Sequence, residues 1–268
     1  MDRHAIRDRL DHERRVLAQD CETIERLPAL TRLRATDGSY YEIACSSLSA
    51  DDADAAIAAE VEHHARLGVP FEWKLYAHDT PADLLERLRR HGFEAGPVEA
   101  VLVLDLEHPH DWIREAAGTH DVTRVTSSAE VETYRRVAEA AFADGDDHAP
   151  IAAALKEAIR TGSTQQHAYV AYAGDEPVSV GRLYTHPESA FAGLYGGATL
   201  DAYRGRGFYR AVVAARALDA VAAGARYLRV DALPTSRPIL ARLGFHWLTD
   251  TWPCEWHPPA RAASRTAL

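Results

Sequence analysis

Short β-like runs alternate with amphipathic helical stretches along this chain, and the pattern starts afresh after residue 120, which predicts an α/β protein of two units. At 268 residues the chain exceeds one average domain and falls short of three. Hydrophobic residues at 47% and charged residues at 26% supply a sizeable core and exclude wholesale disorder or a collagen-like repeat. No run approaches the roughly 18 apolar residues of a membrane span, and the charged start has no apolar signal core behind it. Neither secretion nor membrane insertion is expected.

Forty acidic residues against thirty basic ones give a formal charge of -10, which would repel a phosphate backbone, so no nucleic-acid partner is expected. The basic residues are almost all arginine, Lys74 and Lys156 being the lysines. Cys21, Cys45 and Cys254 are odd in number and far apart, which fits a reducing, cytoplasmic setting and neither a disulfide framework nor a metal site.

Residues 2–18 alternate charge with Ile6, Leu10, Val16 and Leu17 and read as an exposed amphipathic helix. Leu30 to Arg34 and Tyr40 to Cys45, parted by Thr36-Asp37-Gly38-Ser39, read as a hairpin. Ser49 to Asp52 supply an N-cap and an acidic first turn for a helix that Gly68 stops. A strand from Phe71 to Tyr76, a helix from Pro81 to Arg90 and an apolar strand from Ala100 to Leu106 follow. Glu107 to His120, with Pro109 and few apolar residues, looks like a linker.

Beyond it, Asp121 to Val125 resembles a strand, and Ser127 or Ser128 caps a helix with Val131, Tyr134, Val137, Ala138 and Ala141 on one face. An acidic loop from Ala143 to Pro150 leads to a helix marked by Leu155 and Ile159. Strands are expected near His167 to Tyr172, Pro177 to Tyr184 and Phe191 to Leu200.

The last of these strands runs into Asp201-Ala202-Tyr203-Arg204-Gly205-Arg206-Gly207-Phe208-Tyr209, where a helix begins with Phe208, Val212, Ala215, Leu218 and Ala222 along one stripe. A strand, a glycine turn and a helix in that order let backbone amides converge on a phosphate or pyrophosphate at the helix N-terminus. Neither a Walker loop nor a Gly-x-Gly-x-x-Gly fingerprint is present.

Arg204-Gly205-Arg206-Gly207-Phe208 resembles the Arg/Gln-x-x-Gly-x-Gly/Ala turn of the GNAT superfamily of acyl-CoA-dependent N-acyltransferases; the sixth position, usually Gly or Ala, is Tyr209 here. Downstream, Gly224 to Asp231 resembles the next strand, Ser236 to Leu243 a short helix, and Leu243-Gly244-Phe245 the usual ending. The resemblance covers about 121–257. It implies two GNAT-like units, each a mixed, mainly antiparallel sheet flanked by helices, with residues 1–115 as a degenerate N-terminal domain and 116–268 as the acyl-CoA-binding catalytic domain.

The same resemblance implies cosubstrate contacts from Ala198, Thr199, Leu200, Arg204, Gly205, Arg206, Gly207, Phe208 and Tyr209, acetyl-CoA or another acyl-CoA as cosubstrate, and no metal. It implies acyl transfer to a small-molecule primary amine by direct attack, with a backbone N–H on the strand from Gly196 to Thr199 polarising the thioester carbonyl. The tyrosine that often serves the family as general acid falls on Leu240, and the usual asparagine on Leu233. The catalytic groups thus stay unassigned, and a non-catalytic acyl-CoA-binding or sensing module, or an adaptor whose first unit docks a protein, is the alternative. A homodimer is compatible with this reading.

Thr80 to Phe93 parallels Pro234 to Phe245, each following one strand and preceding another, so the first half reads as a second copy. No glycine turn precedes its helix at 61–65, and that half is expected to bind no CoA. His63 and His64 point about 100° apart on a helix and read as a solvated face. Cys254 and His257 alternate on a strand and make no nucleophilic pair. Asp144, Asp146 and Asp147 form an acidic loop that is either plain surface or the entrance for a cationic amine, with any of them a possible proton acceptor.

Overall fold

The computed structural model describes residues 2–108, 110–142 and 147–259. Two compact units interleave along the chain, an N-terminal unit of residues 7–99 with 249 onward and a C-terminal unit of 100–248 with the first six residues. Among the described residues no helix is long and apolar enough to cross a membrane.

The chain opens with α1 (Arg3–Val16), β1 (Glu22–Arg26), β2 (Leu30–Ala35), β3 (Tyr41–Ser46), α2 (Ala53–Leu67), β4 (Phe71–Tyr76), α3 (Leu84–Arg90) and β5 (Glu94–Ala95). The hairpin β2–β3 closes through Ala35 N–H donating to the Tyr40 carbonyl (3.1 Å). Strands β3 and β4 flank α2 and run parallel, with Glu42 opposite Glu72 and Ile43 opposite Trp73. The edge strand β1 was not legible in the sequence, because Glu-Thr-Ile-Glu-Arg carries a single apolar residue.

The N-terminal unit's core gathers Ile43, Trp73, Leu75, Leu84, Leu88, Phe93 and Trp256. It also takes in His64, which corrects the expectation of a solvated His63-His64 face. His64 is 2% exposed, stacks on Phe71 with ring centroids 3.8 Å apart, and hydrogen-bonds the Glu60 carbonyl through Nδ1 (2.9 Å). Burial holds its pKa below the usual range, so it packs as a neutral aromatic ring. Glu60 beside it is buried and meets the Arg32 fork at 2.8 Å on both oxygens.

The rest of the chain forms β6 (Glu99–Asp105), α4 (Asp111–Ala117), β7 (Asp121–Arg124), α5 (Ser128–Phe142), α6 (Ala149–Thr161), β8 (Gln166–Ala173), β9 (Glu176–Tyr184) and β10 (Phe191–Thr199). A short 3-10 turn (Asp201–Tyr203), α7 (Phe208–Ala222), β11 (Tyr227–Ala232), α8 (Arg237–Arg242) and β12 (His246–Trp256) complete it. In the C-terminal unit the strand order is β6-β11-β10-β9-β8-β7, with β10 and β11 parallel and the other pairs antiparallel. In the N-terminal unit, residues 251–256 of β12 pair antiparallel with β4. Each unit therefore has a mixed, mainly antiparallel sheet.

One face of the C-terminal sheet packs α5 and α6 through Val131, Tyr134, Val137 and Leu155 against Val170 and Val180. The opposite face packs α4, α7 and α8 through Ile113, Ala116, Phe208, Val212, Val213 and Leu240 against Leu102, Leu183, Leu194 and Leu228. Helix α5 starts on a capping box, with Glu130 N–H donating to Ser127 Oγ (3.3 Å) and Ser127 N–H to the Glu130 carboxylate (3.0 Å). Half of the stretch expected as a linker is α4. Ile113 and Ala116 sit three residues apart and bury one short face, too brief a period to stand out beside Pro109 and the flanking charges. The expected boundary between 115 and 116 falls inside that helix.

Candidate functional site

Beyond the pairs Phe191–Tyr227, Ala192–Leu228 and Gly193–Arg229, β10 and β11 are no longer registered with each other, although both strands continue. The edge of β10 that faced β11 is thereby released. On its other side the register with β9 breaks between Tyr195, opposite Arg182, and Ala198, opposite Val180. Gly196 and Gly197 fill this bulge against one β9 residue, Gly181. Gly196 has φ +53°, a left-handed conformation that suits glycine.

At the end of β10, Thr199 is buried with its hydroxyl 2.7 Å from Ser179 Oγ, and Leu200 N–H donates to the Val178 carbonyl (2.9 Å). The chain then turns through Gly205 (φ +73°) and Gly207 (φ +91°), the latter capping α7. The opening amides of α7, from Phe208 to Arg210, have no intrahelical acceptor and lie at the positive end of a helix of 15 residues. A side-chain carbon at Gly205 would meet nothing within 4 Å, whereas one at Gly207 would stand 3.2 Å from His120 Nε2. His120 Nε2 also hydrogen-bonds the Arg206 carbonyl (2.9 Å), and its ring stacks on Phe208, so the turn is braced from below.

The predicted cosubstrate residues therefore lie in one continuous stretch of backbone, but their side chains differ in role. Phe208 is a core residue, 3% exposed. Arg204 donates from Nε to the Thr199 carbonyl (3.2 Å) and pairs with Asp201, tying the turn to the strand. The ring of Tyr209 points into the sheet, where a Cβ on Gly197 would come within 3.0 Å of it. A bulky sixth position thus leaves the turn open because Gly197 makes room for it.

Behind the bulge lies Arg216 of α7, 1% exposed. It donates from Nε to the Val212 carbonyl (3.1 Å) and from Nη1 to the carbonyls of Arg182 (3.0 Å) and Tyr195 (3.4 Å), the two residues at the register break. Its guanidinium carbon occupies the space that a side chain at Gly181 would need. Burial pulls its pKa down, partly offset by the phenols of Tyr209, Tyr134 and Tyr169.

The opposite face of the bulge is lined by Tyr134 from α5, Arg182 and Tyr184 from β9, and Tyr195 from β10. Arg182 Nη1 donates to Tyr184 Oη (3.1 Å), its guanidinium approaches the Tyr184 and Tyr195 rings, and a side chain on Gly196 would come within 3.2 Å of both Arg182 Nε and Tyr134 Oη. Burial raises the Tyr134 pKa and keeps that phenol protonated. Arg229 and Asp231 of β11 point to this same face, joined by a 3.0 Å ion pair. None of Tyr134, Arg182, Arg216 or Asp231 was singled out from the sequence as a site residue. The glycines of the bulge were the available signal, since they mark where other side chains must come close.

Leu240, at the position where the GNAT resemblance would put a tyrosine, is fully buried in the core and carries no proton to give. Asp147 is exposed, and its carboxylate accepts the Ala149 N–H (2.8 Å) at the start of α6. Asp144 and Asp146 lie outside the described residues. Cys254 is buried, which pushes its thiol up to about 12 and leaves it unsuited to attack.

No protein-family model and no curated relative matches the sequence. Solved structures match the fold. A GCN5-related N-acetyltransferase from Kribbella flavida superposes with a TM-score of 0.68 at 16% identity, covering 97% of both chains. A conserved protein of unknown function from Staphylococcus epidermidis gives 0.63 at 15% identity, covering 91% of this chain and 96% of its own. A tandem GNAT protein from the clavulanic acid biosynthesis pathway gives 0.58 at 13% identity, covering 89% of this chain and 84% of its own. With its parted parallel strands, bulged β10 and glycine turn at the head of α7, the chain has the fold of the GNAT superfamily of N-acetyltransferases.

Proposed function

We propose that the C-terminal unit binds an acyl-CoA, acetyl-CoA in the first instance, and transfers its acyl group to a primary amine on a small molecule. The observation that carries this reading is the meeting of a released β10 edge with a helix N-terminus across the glycine turn. The opening amides of α7 suit a pyrophosphate, and Arg206 adds positive charge. The released edge suits an extended pantetheine arm, and an N–H of the bulge suits the oxygen of a thioester carbonyl.

In this reaction the neutral amine nitrogen attacks the thioester carbonyl carbon, the carbon–sulfur bond breaks, and the CoA thiolate leaves. Asp231 is the carboxylate on the acceptor face of β11, and we assign it the ammonium proton. The thiolate takes its proton from water, since Leu240 offers none. The N-terminal unit, with no glycine turn before α2, binds no CoA. Its part is architectural, and the setting is the cytoplasm.

Release of CoA thiol, followed with acetyl-CoA and longer acyl-CoAs against a panel of amines, tests this reading. Thiol release that depends on an amine is the expected result. Tight CoA binding by calorimetry with no thiol released from any pair would favour the alternative of an acyl-CoA-binding module.

A further inference from the structure

Half-buried Arg182 stands apart from the buried Arg14 and the half-buried Arg32. In the N-terminal unit, Arg14 pairs with Asp11 and Asp79, and Arg32 with Glu60. For Arg182 and for Arg216 behind it, no carboxylate comes within ion-pair distance among the described residues. The chain as a whole carries ten more acidic than basic groups, so two guanidiniums back to back at one bulge without a carboxylate are a local inversion of its charge.

The donors are also asymmetric. Arg216 spends Nε and Nη1 on backbone carbonyls. Arg182 spends Nη1 on the Tyr184 hydroxyl, while its Nε is buried with no hydrogen-bond partner. A buried, unmatched N–H on a half-buried cation is costly, and the guanidinium fork matches a carboxylate in shape and charge. Around it, the phenols of Tyr134 and Tyr184 are donors that suit the same anion, and Tyr195, 39% exposed, leaves this face open to solvent. Gly196 and Gly197 separate the cluster from the released edge of β10 by no more than backbone.

We propose that the acceptor carries a carboxylate together with its primary amine, that is, an amino-acid-like molecule, and that Arg182 receives the carboxylate while the amine lies over the bulge. The inference rests on the acyltransferase reading and names its substrate class. It differs from the expectation of a purely cationic amine drawn by an acidic loop. The charge of Arg216 adds attraction at short range, and a neutral amide is disfavoured because it brings no negative charge to face the Arg182 guanidinium.

Thiol release by the full chain with acetyl-CoA is measured against α- and ω-amino acids, each beside its carboxamide and its decarboxylated amine. The acids are expected to react with kcat/KM about 10- to 100-fold above their neutral counterparts, the range of one charge-assisted pairing. Arg182→Gln is expected to raise KM for the best acid by a similar factor with KM for acetyl-CoA unchanged, and Arg182→Lys to recover part of the loss. Acids and carboxamides turned over alike, or an unchanged KM in a folded Arg182→Gln protein, would overturn the inference while leaving the transferase intact. In parallel, calorimetry with N-acetylated amino acids and their amides in the presence of CoA reads the subsite without turnover. Arg182-dependent binding of the acids with no thiol released from any amine would uphold the subsite and sink the transferase reading. Binding of neither acids nor amides would overturn the subsite.

Discussion

Arg216 Nη1 reaches the carbonyl of Tyr195 (3.4 Å) from the far side of the sheet, at the residue where β10 leaves register with β9. A helix side chain thus bonds both backbone carbonyls that border the register break. Arg216→Met keeps most of the volume and removes the donors, so the carbonyls of Arg182 and Tyr195 lose partners, each loss costing about 1–3 kcal/mol. The variant is expected to melt several degrees lower and to lose about 10²-fold in kcat, with a smaller change in KM for acetyl-CoA, because the bulge amide is displaced from the thioester oxygen. Steady-state kinetics beside a melting curve check this, and unaltered kcat would show that the bulge stands without its arginine.

Gly207 caps α7 at φ +91°. Gly207→Asp adds both a strained side chain and a negative charge where a pyrophosphate would sit, and is expected to abolish CoA binding by calorimetry. Gly162→Asp is the control. That glycine is also left-handed, at φ +71°, but ends α6 with nothing within 4 Å of a new Cβ, so affinity for CoA should survive there.

Titration of the full chain with CoA is expected to saturate at one equivalent, because the strand, helix and parallel strand of the N-terminal unit lack the glycine turn. Two equivalent sites would refute the division of roles between the units.

Asp231→Asn is expected to lower kcat by about 10²-fold if the carboxylate takes the ammonium proton as proposed. Because Arg229 loses its partner as well, KM for the amine should be compared in Arg229→Gln. An equal loss of kcat in both variants would mean that Asp231 merely positions Arg229, and an unchanged kcat in Asp231→Asn would remove it from the proton path.

Glu72 of β4 lies between Glu42 and Glu255 on neighbouring strands. Burial, then the charge of Glu42, raises its pKa from the ordinary 4.5 to about 7. The folded state thus holds a proton that the unfolded chain has released between those values. Its contribution is complete below pH 4.5 and is lost as pH rises through 7. Glu72→Gln keeps the neutral form at all pH values, so the difference in Tm between the variant and the parent is expected to grow from pH 5 to pH 8. At about 2–4 °C per kcal/mol the change should be visible by calorimetry, and a pH-independent difference would contradict the shift.

The elements that could be read from the chain were those whose cause is local. The strand Phe71–Tyr76 and the helix end at Gly68 follow from side-chain periodicity and from a backbone that only glycine adopts readily. The turn around Gly205 and Gly207 was legible for the same reason. Tyr209 looked out of place there because its accommodation depends on Gly197, a residue on another element.

What the sequence by itself determined is the succession of elements, the two-part organisation and the glycine turn, each a consequence of contacts within a few residues. Tertiary structure alone decided that His64 is core, that residues 111–117 of the expected linker form a packed helix, and that β6 pairs with β11 while the end of β12 pairs with β4. It alone brought Tyr134, Arg182, Tyr195 and Arg216 around one bulge. Those residues are spread from 134 to 216. A sequence pattern records which face a side chain takes on its own element, but which faces meet is settled by strand pairing and the burial of the whole sheet.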